Sequence, residues 1–325
     1  MENLLLFIET KDKEPKKAAL ELLGEARRQK AAGRYKVHAV VMGGISEDAK
    51  KKALPCVDVL VNIADPVLDH YTPEGFALAL AGYAKEIHPQ VVLASATQLG
   101  RDFMPRVAVL LGSGVASDVT GIRWSEDPIV FVRPLYGGRV LSEISFTGYP
   151  AVVTVRPNTF AGDEPGTGDG EYLERQAGIA PGQVKTRVIT TEESGKGKVN
   201  LVEADIIVAG GRGLKSAENF KLLEEMAGTI GAAVGAARSV VDAKWRDQED
   251  QVGKSGKTVS PKLYIAVGIS GAIHHTMGMD TSKVVLAVNT DPNAMIFGYA
   301  DYGIVGDFAQ VVPAMTEEFK KRLGR

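Results

Sequence analysis

Residues 264–289 read YIAVGISGAIHHTMGMDTSKVVLAVN. Two short apolar runs, 264–267 and 283–289, have the composition of consecutive buried strands. Between them stand Gly268-Ile269-Ser270-Gly271 and a segment predicted to enter a helix at Ala272. Strand, glycine turn, helix and strand make a βαβ unit, and a βαβ unit implies a parallel sheet. Gly268 and Gly271 let backbone come close to a ligand, Ser270 adds a hydroxyl donor, and the free N–H groups of a following helix favour an anion. His274 and His275 fall within the first helical turn, which a plain nucleotide-binding turn does not require.

Working outward, the same alternation runs through the chain. In the first half, apolar runs at 4–9, 37–42, 57–63 and 91–96 alternate with helical segments at 16–32, 47–54, 73–87 and 101–111. That pattern predicts a mostly parallel sheet covered by helices. Runs at 129–132, 139–146 and 151–156, with the turn Tyr136-Gly137-Gly138, are expected to be antiparallel strands closing that sheet. The stretch 160–170 is rich in Gly and acids and reads as a surface loop, and 190–198 is polar and reads as an interdomain linker. Beyond it a new α/β pattern starts: a strand at 205–209, a helix at 216–230, a strand at 232–235, the 264–289 unit, a strand at 302–305 and a final helix at 316–323. The expected fold is α/β in two domains. Residues 1–192 form a mostly parallel sheet with antiparallel additions, and 193–325 form a Rossmann-like domain.

Composition narrows the function classes. With 45% hydrophobic and 24% charged residues over 325 positions, the chain is an ordinary globular protein of two-domain length. A net charge of −2 makes no case for nucleic acid or a membrane surface. No apolar stretch approaches the ~20 residues that span a bilayer, so no membrane insertion is expected. The start MENLLLFIET lacks a basic leader region, which sets the expectation of a cytoplasmic protein of a bacterium or archaeon. A single cysteine, Cys56, excludes an intrachain disulfide and CxxC chemistry.

Each motif has a plain reading and a functional one. Gly211-Arg212-Gly213 with Ser216 is an incomplete dinucleotide fingerprint, with Ser in place of the third Gly and no ribose-binding acid ~20 residues on. Ser216 then reads as a helix N-cap, which leaves room for a ligand over the same turn. The stretch 252–258, VGKSGKT, lacks the opening Gly of a nucleoside-triphosphate loop and follows the acidic 247–250 instead of a strand. It reads as a flexible polar loop, or as one lying along a ring system. His274 and His275 are adjacent, so they point ~100° apart on a helix and do not chelate one metal ion. Arg238 has Asp242 four residues on as its default partner. Asn289 and Asp307 follow strands, where open α/β sheets bind ligands, although both also suit turns. Met295 and Phe297 read as packing residues. Nucleophile elbows and paired catalytic carboxylates are absent, which fits chemistry that belongs to a cofactor.

The blocks GGRGLKSAENFKLL (210–223), GAARSVVDA (235–243), QVGKSGKTVSP (251–261), YIAVGISGAIHH (264–275) and ADYGIVGDFAQVVP (300–313) occur together and in this order. In that wording the chain resembles the α subunit of electron transfer flavoprotein. The first half is similar more loosely, through FVRPLYGGR (131–139). The resemblance implies one FAD bound in an extended pose by residues 193–325. It implies that Arg212 reaches the diphosphate, Arg238 stacks on the flavin, and Val252, Gly253, Lys254 and Ser255 lie along the ring with the Ser255 hydroxyl near N5. Gly268, Ile269, Ser270, Gly271 and Ala272 would approach the cofactor, and His275 would donate to the N1/C2=O edge. His274 would touch the ligand or its rim, and Asn289, Asp307 and Phe308 the adenosine part. Ala237, Lys254 and His274 depart from common family residues (Ser or Thr, Gln, and Gln).

The resemblance further implies a β subunit as partner, carrying AMP or a second FAD. It implies electrons from acyl-CoA dehydrogenase-type donors, passed to a quinone oxidoreductase. An electron-bifurcating member using NADH is the alternative within the family. An NAD-dependent dehydrogenase and a flavin-less structural subunit are the alternatives outside it.

Overall fold

The apolar runs of the first half are buried from end to end because they form the inner strands of a parallel sheet. In the computed structural model, which describes residues 2–136, 138–162, 168–180, 182–191 and 199–324, the chain divides into two compact units. One is Met1–Leu135 with Leu141–Glu192, the other Tyr136–Val140 with Glu193–Arg325. Gly137 of the expected turn, 163–167 of the acidic loop and 192–198 of the expected linker lie outside the described residues.

The first unit is built on β1 (Glu2–Phe7), β2 (Tyr35–Met42), β3 (Val59–Ile63), β4 (Pro89–Ser95), β5 (Val115–Val119), β6 (Gly121–Arg123), β7 (Val130–Leu135), β8 (Val140–Ile144), β9 (Ala151–Val155) and β10 (Glu171–Arg175). Seven of these make one sheet in the order β10-β3-β2-β1-β4-β9-β5, parallel throughout. Leu4 and Leu6 pack on one face with Leu22 and Ala26 of α1 (Lys17–Ala31). Leu5 and Phe7 pack on the other with Leu80 of α3 (Pro73–Ile87) and Phe103 of α4 (Gln98–Leu110); α2 (Glu47–Ala53) lies between α1 and α3 in the chain. With both faces covered, alternation disappears from these strands and they read as unbroken apolar runs.

Two expectations about this unit are corrected. Residues 151–155 do not close the sheet as an antiparallel strand: β9 lies parallel between β4 and β5, all five residues buried. A wholly buried run belongs inside a parallel sheet, and the glycines and prolines before it only looked like hairpin chemistry. Strands β6, β7 and β8 form a separate three-stranded sheet instead, with β6 antiparallel to β7. The strands β5 and β10, which carry Asp, Glu and Arg, were not anticipated.

The second unit contains β11 (Ile206–Gly210), α5 (Phe220–Ile230), β12 (Ala233–Ala236), α6 (Arg238–Asp242), β13 (Leu263–Val267), α7 (Ile273–Thr276), β14 (Val285–Asn289), β15 (Tyr302–Val305) and α8 (Phe308–Leu323). Its five strands are parallel in the order β12-β11-β13-β14-β15. Numbered within the unit this is 2-1-3-4-5, a doubly wound sheet with the flavodoxin-type order. Strand periodicity sorts the core. Val208, Ile265 and Val267 face α5 and α8, with Leu223 and Val312. Ile207, Ala209, Tyr264 and Ala266 face a covering of irregular chain that supplies Val252, Val259, Met279 and Ile296.

Here too two details differ from expectation. The helix after the first glycine turn starts at Phe220, not Ser216. Lys215 takes a positive φ of 69°, and Asn219 Nδ2 donates to the Leu214 carbonyl at 2.7 Å, so the turn closes on itself before the helix opens. The segment entering at Ala272 is a single turn, α7, because Gly278 is already pressed on the Gly253 backbone, where an added Cβ would lie 2.4 Å from the Gly253 nitrogen.

The inner position of β9 sets a stability contrast. Val153→Asp buries an unpaired carboxylate at a fully buried position and should destabilise the chain by several kcal/mol, about 3 or more, or stop it folding. Leu141→Asp, on the exposed strand β8, should change stability by no more than about 0.5 kcal/mol. Urea denaturation of both variants checks the contrast.

Candidate functional site

Gly210 at the end of β11 stands in register with Ala236 of β12 and Val267 of β13, so three strands stop at one level. The strand order reverses between β11 and β13, and in open α/β sheets ligands bind outside the carboxyl ends at that place. A cavity of about 680 Å³ opens there, within the range of small-molecule sites. It lies within the second unit, bordered by the turns after β11, β12, β13 and β14 and by the loop at 251–255.

Backbone contact closes its floor. Gly211 N donates to Val267 O at 2.9 Å and Gly213 N to Gly268 O at 2.9 Å. A Cβ on Gly211 would sit 2.2 Å from the Gly268 carbonyl oxygen. Gly268 itself has φ 62°, in the left-handed region that favours glycine. Leu214, fully buried beneath, anchors the turn and leaves Arg212 exposed at the rim.

The 251–258 loop is not free chain. Val252 N donates to Ala236 O, Gly253 N to Lys257 O and Lys254 N to His274 O, at 3.0, 3.1 and 2.7 Å. Gln251, 2% exposed, donates through Nε2 to Ser255 Oγ at 3.0 Å. This uses an acceptor lone pair of Ser255 and leaves its hydroxyl hydrogen available toward the cavity.

His275 is 7% exposed and borders the cavity beside exposed His274. Its Nε2 lies 3.0 Å from the hydroxyl of Tyr264. Its Nδ1 is buried without a hydrogen bond of normal geometry. Burial lowers its pKa to about 4, with the Val252 carbonyl pulling weakly the other way. The imidazole is therefore neutral at pH 7. Arg238 pairs with Asp242 at 3.4 Å, both largely exposed, so this surface pair holds the guanidinium only loosely. Asn289 Nδ2 donates to the Ile269 carbonyl at 2.9 Å and its Oδ1 accepts from Asp291 N, tying the β14 turn to the β13 turn.

Of the residues singled out from sequence, Arg212, Arg238, Val252, Gly253, Ser255, Gly268, Ile269, Ser270, Ala272, His274, His275 and Asn289 line this cavity. Lys254, Gly271, Asp307 and Phe308 are not among its lining residues. Lys254 supports the loop through its backbone. Gly271 makes room for protein backbone, since a Cβ there would lie 2.2 Å from the Ile296 nitrogen. Asp307 caps α8, accepting from Ala309 N at 2.9 Å and pairing with Lys215 at 3.2 Å. Its pKa is held low first by that backbone N–H and then by Lys215. Phe308 belongs to the core between β-sheet and α8. Ala237, Ser239, Asp242, Gln251, Asp291, Asn293, Ala294 and Met295 also line the cavity and were missed or read only as packing or pairing residues. Nothing in their types distinguished them; their place after strand ends did. Among the described residues no three His, Cys, Asp or Glu side chains converge to hold a metal ion, and no helix is long and apolar enough to cross a membrane.

Comparison with known proteins gives this geometry a lineage. The electron transfer flavoprotein domain matches residues 4–206, and the electron transfer flavoprotein FAD-binding domain matches residues 200–280. The chain is 40% identical to the electron transfer flavoprotein subunit alpha of Thermoanaerobacterium thermosaccharolyticum, covering 98% of both. It is 40% identical to protein FixB of Azotobacter vinelandii, over 94% of this chain and 87% of that one. It is 37% identical to the Bacillus subtilis electron transfer flavoprotein subunit alpha, over 98% and 97%.

Two outcomes follow from the geometry of the site. Gly211→Ala should cost on the order of 1–3 kcal/mol because its Cβ overlaps the Gly268 carbonyl. Gly228→Ala, open and inside α5, should instead stabilise by about 0.4–1 kcal/mol; urea titration of the pair checks both. His275 has a folded pKa below its ordinary 6.5, so the unfolded chain takes up its proton first as pH falls. Its stabilising effect is complete above pH 6.5 and is lost as pH falls through 4, a change on the order of 3 kcal/mol. The stability difference between the wild-type chain and His275→Gln should therefore shrink from pH 7 to pH 4. A difference that stays constant across that range would contradict the assignment.

Proposed function

Because this chain belongs to the electron transfer flavoprotein family, as its α subunit, we propose that its strand-end cavity holds FAD. We further propose that the chain shuttles electrons as one half of an αβ heterodimer. The observation that carries this reading is the pairing of a neutral, buried His275 with Arg212 and Arg238 around one cavity at the strand-order reversal. A freed serine hydroxyl and two guanidinium groups suit a ligand with a polar ring edge and a diphosphate. The FAD-binding domain of the family covers most of the lining.

Bound flavin would supply the electron-accepting ring; the chain supplies position and field. Arg212, at the rim of the β11 turn, would meet the diphosphate. Arg238, freed from its loose pair with Asp242, would stack on the ring. Ser255 would offer its hydrogen near N5, and His275 would donate toward the N1/C2=O edge without bringing a net charge. Asn289 would hold the adenosine side. In this reading residues 1–192 form the domain that meets the β subunit and 193–325 the FAD domain, with AMP or a second FAD in the partner. Acyl-CoA dehydrogenase-type donors, a quinone oxidoreductase acceptor and a cytoplasmic setting complete the simple-carrier reading. A bifurcating complex using NADH is the second.

Co-expression with the β neighbour, followed by an absorption spectrum and a flavin count, tests the proposal. Flavin bands with one FAD in this chain are expected. A colourless complex that binds NADH, or binds nothing, would overturn it. Within a flavin-loaded complex, Arg238→Ala should lower the flavin potential by the equivalent of at least a tenfold change in the redox equilibrium, about 1.4 kcal/mol. Spectroelectrochemical titration reads it, and an unchanged potential would return Arg238 to its Asp242 pair.

A further inference from the structure

Tyr264 lies in the middle sheet strand β13, paired in register with Ile207 on one side and Val285 on the other, and is fully buried. Its ring faces the irregular covering of the sheet, away from α5 and α8. A buried phenol is costly unless its hydroxyl is hydrogen-bonded. Among the described residues, the partner of this hydroxyl is His275 Nε2, at 3.0 Å.

The two possible arrangements are not equivalent. If Nε2 carried the ring hydrogen and donated to Tyr264, the phenolic hydrogen would be left buried with no acceptor. Nδ1 would then present a lone pair toward the Val252 carbonyl. If Tyr264 donates to Nε2, both problems vanish: the phenol is satisfied, and Nδ1 carries a hydrogen. Nδ1 is the ring nitrogen that makes no hydrogen bond of normal geometry inside the protein. We infer that Tyr264 is a positioning residue for His275, donating to Nε2 and locking the ring in the Nδ1–H form. That makes His275 a neutral ring of fixed tautomer at the cavity wall, its Nδ1–H buried on the Val252 side.

The lock depends on two further contacts. His275 N donates to Ala272 O at 2.8 Å, holding the single turn of α7. The loop contact Lys254 N to His274 O holds the other side of the same backbone. Tyr264 itself is fully buried in one core cluster with Ala266, Met279 and Val285. Burial pushes its hydroxyl further from ionisation, which keeps it a donor across the neutral range. The donor to Nε2 also polarises the ring, strengthening the Nδ1–H as a donor. The inference rests on the flavin reading for the ligand that this ring borders, but not for the tautomer.

The test uses the full chain, co-produced with its β neighbour and labelled with 15N at histidine. The His275 signals are assigned by their loss in His275→Gln. Long-range 15N–1H correlation at pH 7 should show Nδ1 protonated and Nε2 unprotonated. In Tyr264→Phe, which removes only the hydroxyl, the ring should become a mixture of tautomers. The flavin potential should fall by about 30 mV, the two-electron equivalent of a tenfold loss. An Nε2–H ring in the wild-type chain overturns the inference without any variant, so a poorly folding Tyr264→Phe does not shelter it. So does a Tyr264→Phe chain that is less stable but keeps both the Nδ1–H signature and the potential, since that is a packing role alone. A complex that takes up no flavin overturns the cofactor reading instead, while the ring-nitrogen signals of the same sample still decide the tautomer.

Discussion

The second unit depends on one close backbone contact, the meeting of the β11 turn with the β13 turn at Gly211, Gly213 and Gly268. A side chain at any of the three would fall under 3 Å from backbone of the other turn. Because none is present, the two turns hydrogen-bond directly, and the strands on either side of the order reversal end as one rim. The remaining features of the site inherit their positions from that rim. Arg212 stands above it on the short turn anchored by Leu214, and Ala237 is tied to it through Gly210 O at 2.9 Å. The 251–258 loop is tied in turn to Ala236 and His274.

A layered polarity follows. Nearest the core, Tyr264 and Gln251 are buried and satisfied by groups that themselves border the cavity, His275 and Ser255. Farther out, Arg238, Asp242 and Arg212 are solvated and weakly held. Buried neutral groups fix direction at little electrostatic cost, while exposed charges stay free to exchange a protein partner for a ligand. The strand ends of the first unit are arranged differently. There Thr97 Oγ1 donates to buried Glu9 at 2.6 Å, Lys16 pairs with Glu9, and Arg156 grips Asp118 through Nε at 3.1 Å. There these polar groups are spent on one another.

The glycine spacing, the strand-like runs and the two histidines were readable because they are local: a turn needing a positive φ selects glycine, and a strand covered on both faces becomes continuously apolar. Twelve residues foreseen around a ligand do share one cavity. What local pattern misjudged was pairing. The run at 151–155 looks the same whether it returns beside its predecessor or crosses to lie between β4 and β5. At Gly271, the backbone that an added Cβ would meet is that of Ile296, more than 20 residues away in the chain.

By itself, then, the sequence determined the α/β class, the two-part organisation, the family and the residue types around the strand ends. All of these are carried by short-range periodicity and by motifs whose wording survives without coordinates. Tertiary structure alone decided which strands are neighbours, that the second sheet has the 2-1-3-4-5 order, and that Asp307 and Phe308 serve α8. It also decided that a tyrosine eleven residues before His275 would reach its ring. The reason is physical: side-chain direction along a strand alternates with a period of two, but which group it meets across the sheet's covering depends on how distant segments fold over it.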